Sequence, residues 1–356
     1  MRIRRVESWK QSLPLTRPYT IATREISSVE LFFVKLVAQE GLVGYGSASP
    51  AEHVTGESEL ACGSALAPER LEWLEGRDAR RLGALSREAE TRLRSAPAAR
   101  ACLDMALYDL FARSVDVPLV EFLGRQYSAL PTSITIGIKS TEAALDEAQE
   151  YVGRGFRHLK VKIGLDLNAD IERVRKLHER FGNSVAIRVD ANQGYTREQT
   201  LCFSEAVAGL GVELLEQPLE AAALEEMRTL PASLRRSIAA DESLHDERDA
   251  VRVAAPPAAF GIFNIKLMKC GGIRSGLGIA TIAEASGREL MWGCMDESVI
   301  SIAAALHAAL SAPATRYLDL DGSFDLGHDM AEGGFCVEQG TLRTTDRTGL
   351  GVWGRS

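Results

Sequence analysis

Three acidic residues recur at one period. Asp190 in RVDANQGY, Glu216 in LLEQPL and Asp241 in AADESL lie 26 and 25 residues apart, each near the end of a short run with strand character. Carboxylates that converge without cations raise one another's pKa, and a bound divalent cation is the simplest relief. Donors that are all oxygen favour Mg2+, or Mn2+, over zinc and leave coordination positions for a substrate oxygen. Any one of the three residues could equally serve a strand-end turn or a helix cap. The shared period is what points to a metal. The same step of 25 residues beyond Asp241 reaches Lys266 in NIKLMKCGG. Two more ammonium groups, Lys160 and Lys162, sit in FRHLKVKIG, where Leu159, Val161 and Ile163 alternate with them. Alternation puts both lysines on one face of a strand and the apolar residues on the other. Read alone, that pattern is an ordinary half-exposed strand.

The elements that must hold these residues follow from the periodicity. Strand-like runs stand at 133–138, 158–164, 185–192, 212–218, 237–243, 262–268, 289–295 and 316–322. Between them run helical patterns, clearest in DIERVRKLHERFG, where Ile171, Val174, Leu177 and Phe181 follow spacings of three and four before Gly182. Another is GLGIATIAEASG, ending at Gly287. Eight strands alternating with helices predict a parallel α/β barrel, whose strand C-termini carry the chemistry. On that frame the acids converge on the barrel rim. Lys160 and Lys162, on the second strand, face Lys266 on the sixth from the opposite wall, so the lysine face becomes the barrel interior.

The first 130 residues read differently. VELFFVKLVAQEGLVGYGSA (29–48) predicts two strands turning at Gln39-Glu40-Gly41, and APAARACLDMALYDLFARS (96–114) predicts an alanine-rich helix burying Leu103, Ala106, Leu107 and Leu110. The expected organisation is an α+β unit over 1–130, a barrel over 131–322, and a β-like tail over 323–356 that returns to complete the first unit. The 356 residues, 46% hydrophobic and 25% charged, suit a large soluble protein. A net charge of −8 without basic runs argues against nucleic acid. No apolar stretch approaches a membrane span, and the basic start MRIRRVESWK is not followed by a run of signal-peptide length, so a cytoplasmic protein is expected. Six cysteines without paired spacing suggest neither zinc nor a disulfide framework, but reduced and mostly buried thiols.

In register, KVKIG, DANQG, EQP, ADES, NIKLMKCGGI and the final DLDG resemble the muconate-lactonizing subgroup of the enolase superfamily, and within it the dipeptide epimerases. The resemblance extends to PLTRPYTIATR and VGYG near the start and GLGV near the end. It implies a (β/α)7β TIM-like barrel with an α+β capping domain built from both ends of the chain. Members with a mandelate-racemase-type site carry a histidine on the seventh strand, where this chain reads WGCMDES. Asp319 and Asp321, in the last strand, match the pair with which dipeptide epimerases hold a substrate ammonium.

The implied activity is inversion of the α-carbon of a dipeptide's C-terminal residue. Asp190, Glu216 and Asp241 would hold one Mg2+, Lys162 and Lys266 would form the acid/base pair, and Lys160 and Asn192 would support them. Neighbouring positive charge and burial would lower the lysines' pKa. Lys269 and the glycines of CGGIRSGLG are given no chemical role, although such a loop could bind phosphate. The resemblance places Arg24, Glu52 and Asp296 around the substrate side chains. Arg24 matches an arginine that holds glutamate in Ala-Glu epimerases, whereas Glu52 and Asp296 favour Lys or Arg side chains. A homo-oligomer is expected. The alternatives are an L-Ala-D/L-Glu epimerase, an N-acylamino acid racemase or an o-succinylbenzoate synthase on the same scaffold. Outside that class stand a Schiff-base aldolase using one lysine, and a barrel that binds metal and ligand without turnover.

Overall fold

The structure is a computed structural model that describes residues 1–21 and 24–354, with side chains outside 18–26. The amino-terminal part is a three-stranded antiparallel sheet of Ile3–Ile21, Arg24–Ala38 and Val43–Ala48, in that order. The last two strands form the expected hairpin, and Gly41 takes the positive φ (84°) of its turn. One helix, Pro97–Ser114, lies against the sheet with Leu103, Ala106, Leu107 and Leu110 buried. The two glycines of VGYG explain how close it comes. A Cβ on Gly44 or Gly46 would collide with the carbonyl oxygen of Ala106 or Cys102, so strand and helix backbones touch there.

Eight parallel strands follow, each hydrogen-bonded to its sequence neighbours: Ile134–Ile136, His158–Lys162, Ala186–Asp190, Val212–Glu216, Ile238–Ala240, Ile262–Lys266, Glu289–Gly293 and Thr315–Asp319. All eight expected strands are present, each ending two or three residues earlier than expected, and the last beginning one residue sooner. The ring nearly closes where Ser133 N donates to Leu318 O (2.9 Å). Helices cross over between consecutive strands, among them Thr141–Gly153, Leu167–Phe181, Arg197–Ala206 and Ile273–Ala285, and the last is Val299–Ala309. The eighth strand leads into the tail instead, as a (β/α)7β barrel requires.

The barrel is filled from below. Leu214, Ala239, Ile262 and Met291 form a small apolar layer with Tyr317, and the Arg188 guanidinium lies 5.1 Å from the Tyr317 ring centre. Above that layer the interior becomes ionic. In the tail, Phe335–Glu338 pairs with Thr341–Thr344, which pairs with Leu130–Pro131, while Ala331–Gly333 pairs with Val352–Gly354. All six cysteines are free: Cys62, Cys102 and Cys270 are buried, Cys294 and Cys336 half-buried, and Cys202 exposed. Among the described residues no helix is long and apolar enough to cross a membrane.

Candidate active site

Strand register decides what meets at the barrel mouth. Lys162 pairs with Asp190 and Asp190 with Glu216, while Lys266 pairs with Gly293 and Gly293 with Asp319. Asp241 stands two residues beyond Ala239, the partner of Glu216, so it faces the same interior from one inward position higher. Asp190, Glu216, Asp241, Lys160, Lys266 and Asp319 are all buried, and Lys162 is half-buried. The period-of-25 acids and the lysines of both walls therefore come together.

Lys160 is the centre of the ionic layer. Its Nζ donates to Asp319 Oδ2 (2.7 Å) and forms ion pairs with Asp190 Oδ2 (3.1 Å) and Glu216 Oε2 (2.8 Å) without the alignment of hydrogen bonds. Lys162 donates to Asp190 Oδ2 (2.7 Å) and to Asn192 Oδ1 (2.8 Å), which places Asn192 beside it. Lys266 donates to Asp241 Oδ2 (2.7 Å). The lowering expected for the acid/base lysines is not found at Lys266, and Lys160, expected to supply the charge for it, is raised as well. Burial pulls both down, but Asp319, Glu216 and Asp190 around Lys160, and Asp241 and Glu216 beside Lys266, prevail and raise them. Carboxylate charge outweighs burial as long as nothing else neutralises it.

Glu216 shows the opposite strain. Burial, and then the Asp190 charge, push its carboxyl up to about 8. Asn264 donates to Glu216 Oε1 (2.8 Å), but Glu216 Oε2 and Asn264 Oδ1 are buried without a hydrogen bond. A buried acid held above neutrality beside a second carboxylate is a site short of positive charge. The donors suit an oxygen-seeking divalent cation. Among the described residues no group of three His, Cys, Asp or Glu side chains is arranged to grip one ion. The lysine ammonium groups take the carboxylate oxygens instead.

The aspartate pair of the eighth strand divides. Asp319 accepts from Lys160 and from Ser133 Oγ (2.7 Å), so its charge is matched within the protein. Asp321, just beyond the strand, accepts the Thr135 N–H (2.7 Å), and burial together with the Asp319 charge raises its carboxyl to about 7. No ion pair of Asp321 occurs among the described residues.

The specificity candidates are less gathered. Glu52 is exposed on the short helix Glu52–Thr55. Asp296 is half-buried, and its backbone oxygen accepts Ser49 Oγ (2.8 Å), which joins the loops that carry the two acids. The Arg24 side chain lies outside the described residues.

Lys269, to which the sequence reading gave no role, is buried with its Nζ on Asp241 Oδ1, so it belongs to this cluster. The phosphate alternative for the neighbouring glycine loop fails because Asp104 already occupies that helix start, accepting Arg274 N at 3.1 Å. Asn264 was missed too. Its signal was its place two residues before Lys266, on the same strand face.

Comparison with known proteins places the chain in a family. Residues 4–124 match the mandelate racemase / muconate lactonizing enzyme N-terminal domain, and residues 143–353 match the enolase C-terminal domain-like family. An L-Lys-D/L-Arg epimerase of Methylococcus capsulatus is 56% identical over 99% of both chains. An L-Ala-D/L-Glu epimerase of Bacillus subtilis is 34% identical over 99% of this chain and 97% of its own. A crystal structure of a Methylococcus capsulatus dipeptide epimerase complexed with Mg and L-Arg-D-Lys superposes with a TM-score of 0.97 at 56% identity, covering 99% of each chain.

Proposed function

From the membership of this chain in the mandelate racemase / muconate lactonizing family of the enolase superfamily, we propose that it epimerises dipeptides at the C-terminal α-carbon, with preference for Lys and Arg side chains. The observation that carries the reading is the placement of Lys162 and Lys266 on opposite walls of one barrel mouth, either side of a buried carboxylate cluster. Asp190, Glu216 and Asp241 would hold Mg2+. When bound, the cation supplies positive charge against the second negative charge that develops when a carbon next to a carboxylate loses its proton.

The protein's own groups do the rest. One lysine Nζ takes the α-proton from one face and the other returns a proton to the opposite face, which inverts the centre. Lys160 ties Asp190, Glu216 and Asp319 together below and keeps their spacing. Asn192 Oδ1 holds Lys162 in line. Asp321 offers a carboxylate with no ion pair among the described residues, suited to the ammonium of a dipeptide and not to a neutral N-acyl group. That supports an epimerase over an N-acylamino acid racemase. Glu52, Asp296 and Arg24 are the candidates for contact with the side chains. The kinship with the Lys/Arg epimerase supports a cationic preference.

With this reading go the domain limits 1–130, 131–322 and 323–356, a homo-oligomer and a cytoplasmic setting, the last supported by six free thiols. The test is a dipeptide library in D2O with Mg2+. Deuterium should enter the C-terminal residue, with kcat/KM for Lys- and Arg-containing dipeptides about tenfold or more above Ala-Glu. Absence of exchange with every dipeptide overturns the epimerase reading, and a preference for Ala-Glu overturns the cationic one.

A further inference from the structure

The helix Leu167–Phe181 buries an ion pair near its start. Asp170 Oδ1 accepts Arg173 Nη1 (2.8 Å), and both side chains are buried. Their remaining bonds leave the helix. Asp170 Oδ2 accepts the Gly164 N–H (2.8 Å) and the Tyr195 hydroxyl (2.8 Å), and Arg173 Nη2 donates to Lys139 O (2.9 Å). Lys139, Gly164 and Tyr195 lie in the connections that follow the first, second and third barrel strands. One pair on one helix therefore ties three neighbouring loops of the barrel mouth. Arg173 Nε is buried without a partner, so the pair is held at some cost. A buried ion pair adds little stability over apolar residues of the same size, and its best-attested use is to fix register.

Two of those loops carry one wall of the site. Gly164 stands two residues beyond Lys162, and Tyr195 three beyond Asn192. The ladder between the second and third strands ends with Ile163 N on Asp190 O (2.8 Å), and at the next residue Asp170 takes over from the sheet. The two loops touch backbone to backbone. A Cβ on Gly164 would lie 2.4 Å from Ala191 O, and one on Gly194 2.3 Å from Gly164 O. A shift of Gly164 therefore presses on the turn that carries Asn192, whose Oδ1 holds Lys162. We propose that Asp170 and Arg173 are positioning residues for Lys162: from outside the barrel they lock the loops on either side of its ammonium, so that Lys162 and Asn192 keep one spacing. The proposal rests on the reading of Lys162 as one of two proton carriers. Lys266 is held by Asp241 on the opposite wall, outside the three loops that the pair joins. Loosening the pair should therefore harm one side of the reaction only.

Asp170→Asn, which removes the charge, and Tyr195→Phe, which keeps the ion pair and deletes one of its bonds, are the variants to make. Single replacements of Lys162 and Lys266 in the parent first identify which epimer each lysine serves, by the α-proton exchange that survives in D2O. At saturating dipeptide and Mg2+, exchange of the epimer served by Lys162 should fall about tenfold or more in Asp170→Asn and about threefold in Tyr195→Phe. Exchange of the other epimer, per folded molecule, should stay within about twofold of the parent. Equal loss of both exchanges, or no loss in either variant, would make the pair merely structural and overturn the proposal. Should Asp170→Asn fail to fold, the same comparison in Tyr195→Phe decides. A parent enzyme without solvent exchange would instead overturn the two-lysine reading, and the proposal with it.

Discussion

Gly293 shows how one missing side chain shapes the site. A Cβ there would lie 2.6 Å from Asn264 Oδ1 and 3.2 Å from Lys266 Cε, so the absent methyl is the space in which both side chains stand. Gly293→Ala should lower kcat by about 10- to 100-fold through displacement of Lys266, since sub-ångström placement governs proton transfer. Circular dichroism should show an intact fold alongside that kinetic loss. Glu216→Gln should act differently. It replaces a buried carboxyl whose ionisation burial and Asp190 disfavour, and keeps an oxygen for Asn264, so the metal-free protein should melt no lower than the parent. Turnover should nevertheless fall by about 100-fold or more, and Mg2+ should no longer raise the melting temperature. Asp190, Glu216 and Lys266 were legible because each repeats the position of the last in its own βα unit. Asn264 and Gly293 were not, since a lone Asn or Gly in a strand carries no sign of what it packs against.

At the scale of elements, two helices meet through one imidazole. His307, buried in Val299–Ala309, accepts the Val120 N–H (2.9 Å) at the start of the helix Leu119–Leu123, one of the donors that a helix leaves without an internal partner. Nδ1 accepts that bond, so the proton sits on Nε2, which faces Leu350 O at 3.3 Å. Burial lowers this histidine from 6.5 to about 3. Its folded pKa is depressed, so unfolded chains bind a proton that folded ones refuse. Stability is unaffected above 6.5 and is lost as pH falls from there toward 3, at up to about 1.4 kcal/mol per unit. Because raised carboxyls such as Glu216 and Asp321 contribute the opposite slope to both chains alike, the measurement is the difference in urea unfolding free energy between the parent and His307→Gln, which should change with the histidine's slope between pH 7 and 5. Helix periodicity placed the element Pro97–Ser114 correctly, but that an imidazole would cap a helix 187 residues away in sequence was beyond any local pattern.

On the scale of the whole molecule, both ends of the chain close around one buried acid. Asp109, in Pro97–Ser114, accepts Tyr45 N (2.9 Å) from the amino-terminal sheet, Leu350 N (2.7 Å) from the tail and Arg113 Nε (2.9 Å) from its own helix. Burial raises its carboxyl despite the Arg113 charge. Asp109→Ala would strand two buried N–H groups and a guanidinium, and should cost about 3 kcal/mol. The measurement is the urea midpoint, with kcat per folded molecule unchanged because the site lies at the barrel mouth. The sequence by itself determined the eight strands, the hairpin, the long helix and the ring of acids and lysines, because these follow from periods of two, of 3.6 and of about 25 residues in the order of residue types along the chain. Only the tertiary structure decided that Lys160 sits among three carboxylates, that Asp319 is matched by a lysine while Asp321 has no ion pair among the described residues, and that Lys269 joins the cluster. Charge balance in a buried cluster depends on distances across the barrel, between residues as far apart in sequence as Lys160 and Asp319, and no local pattern encodes them.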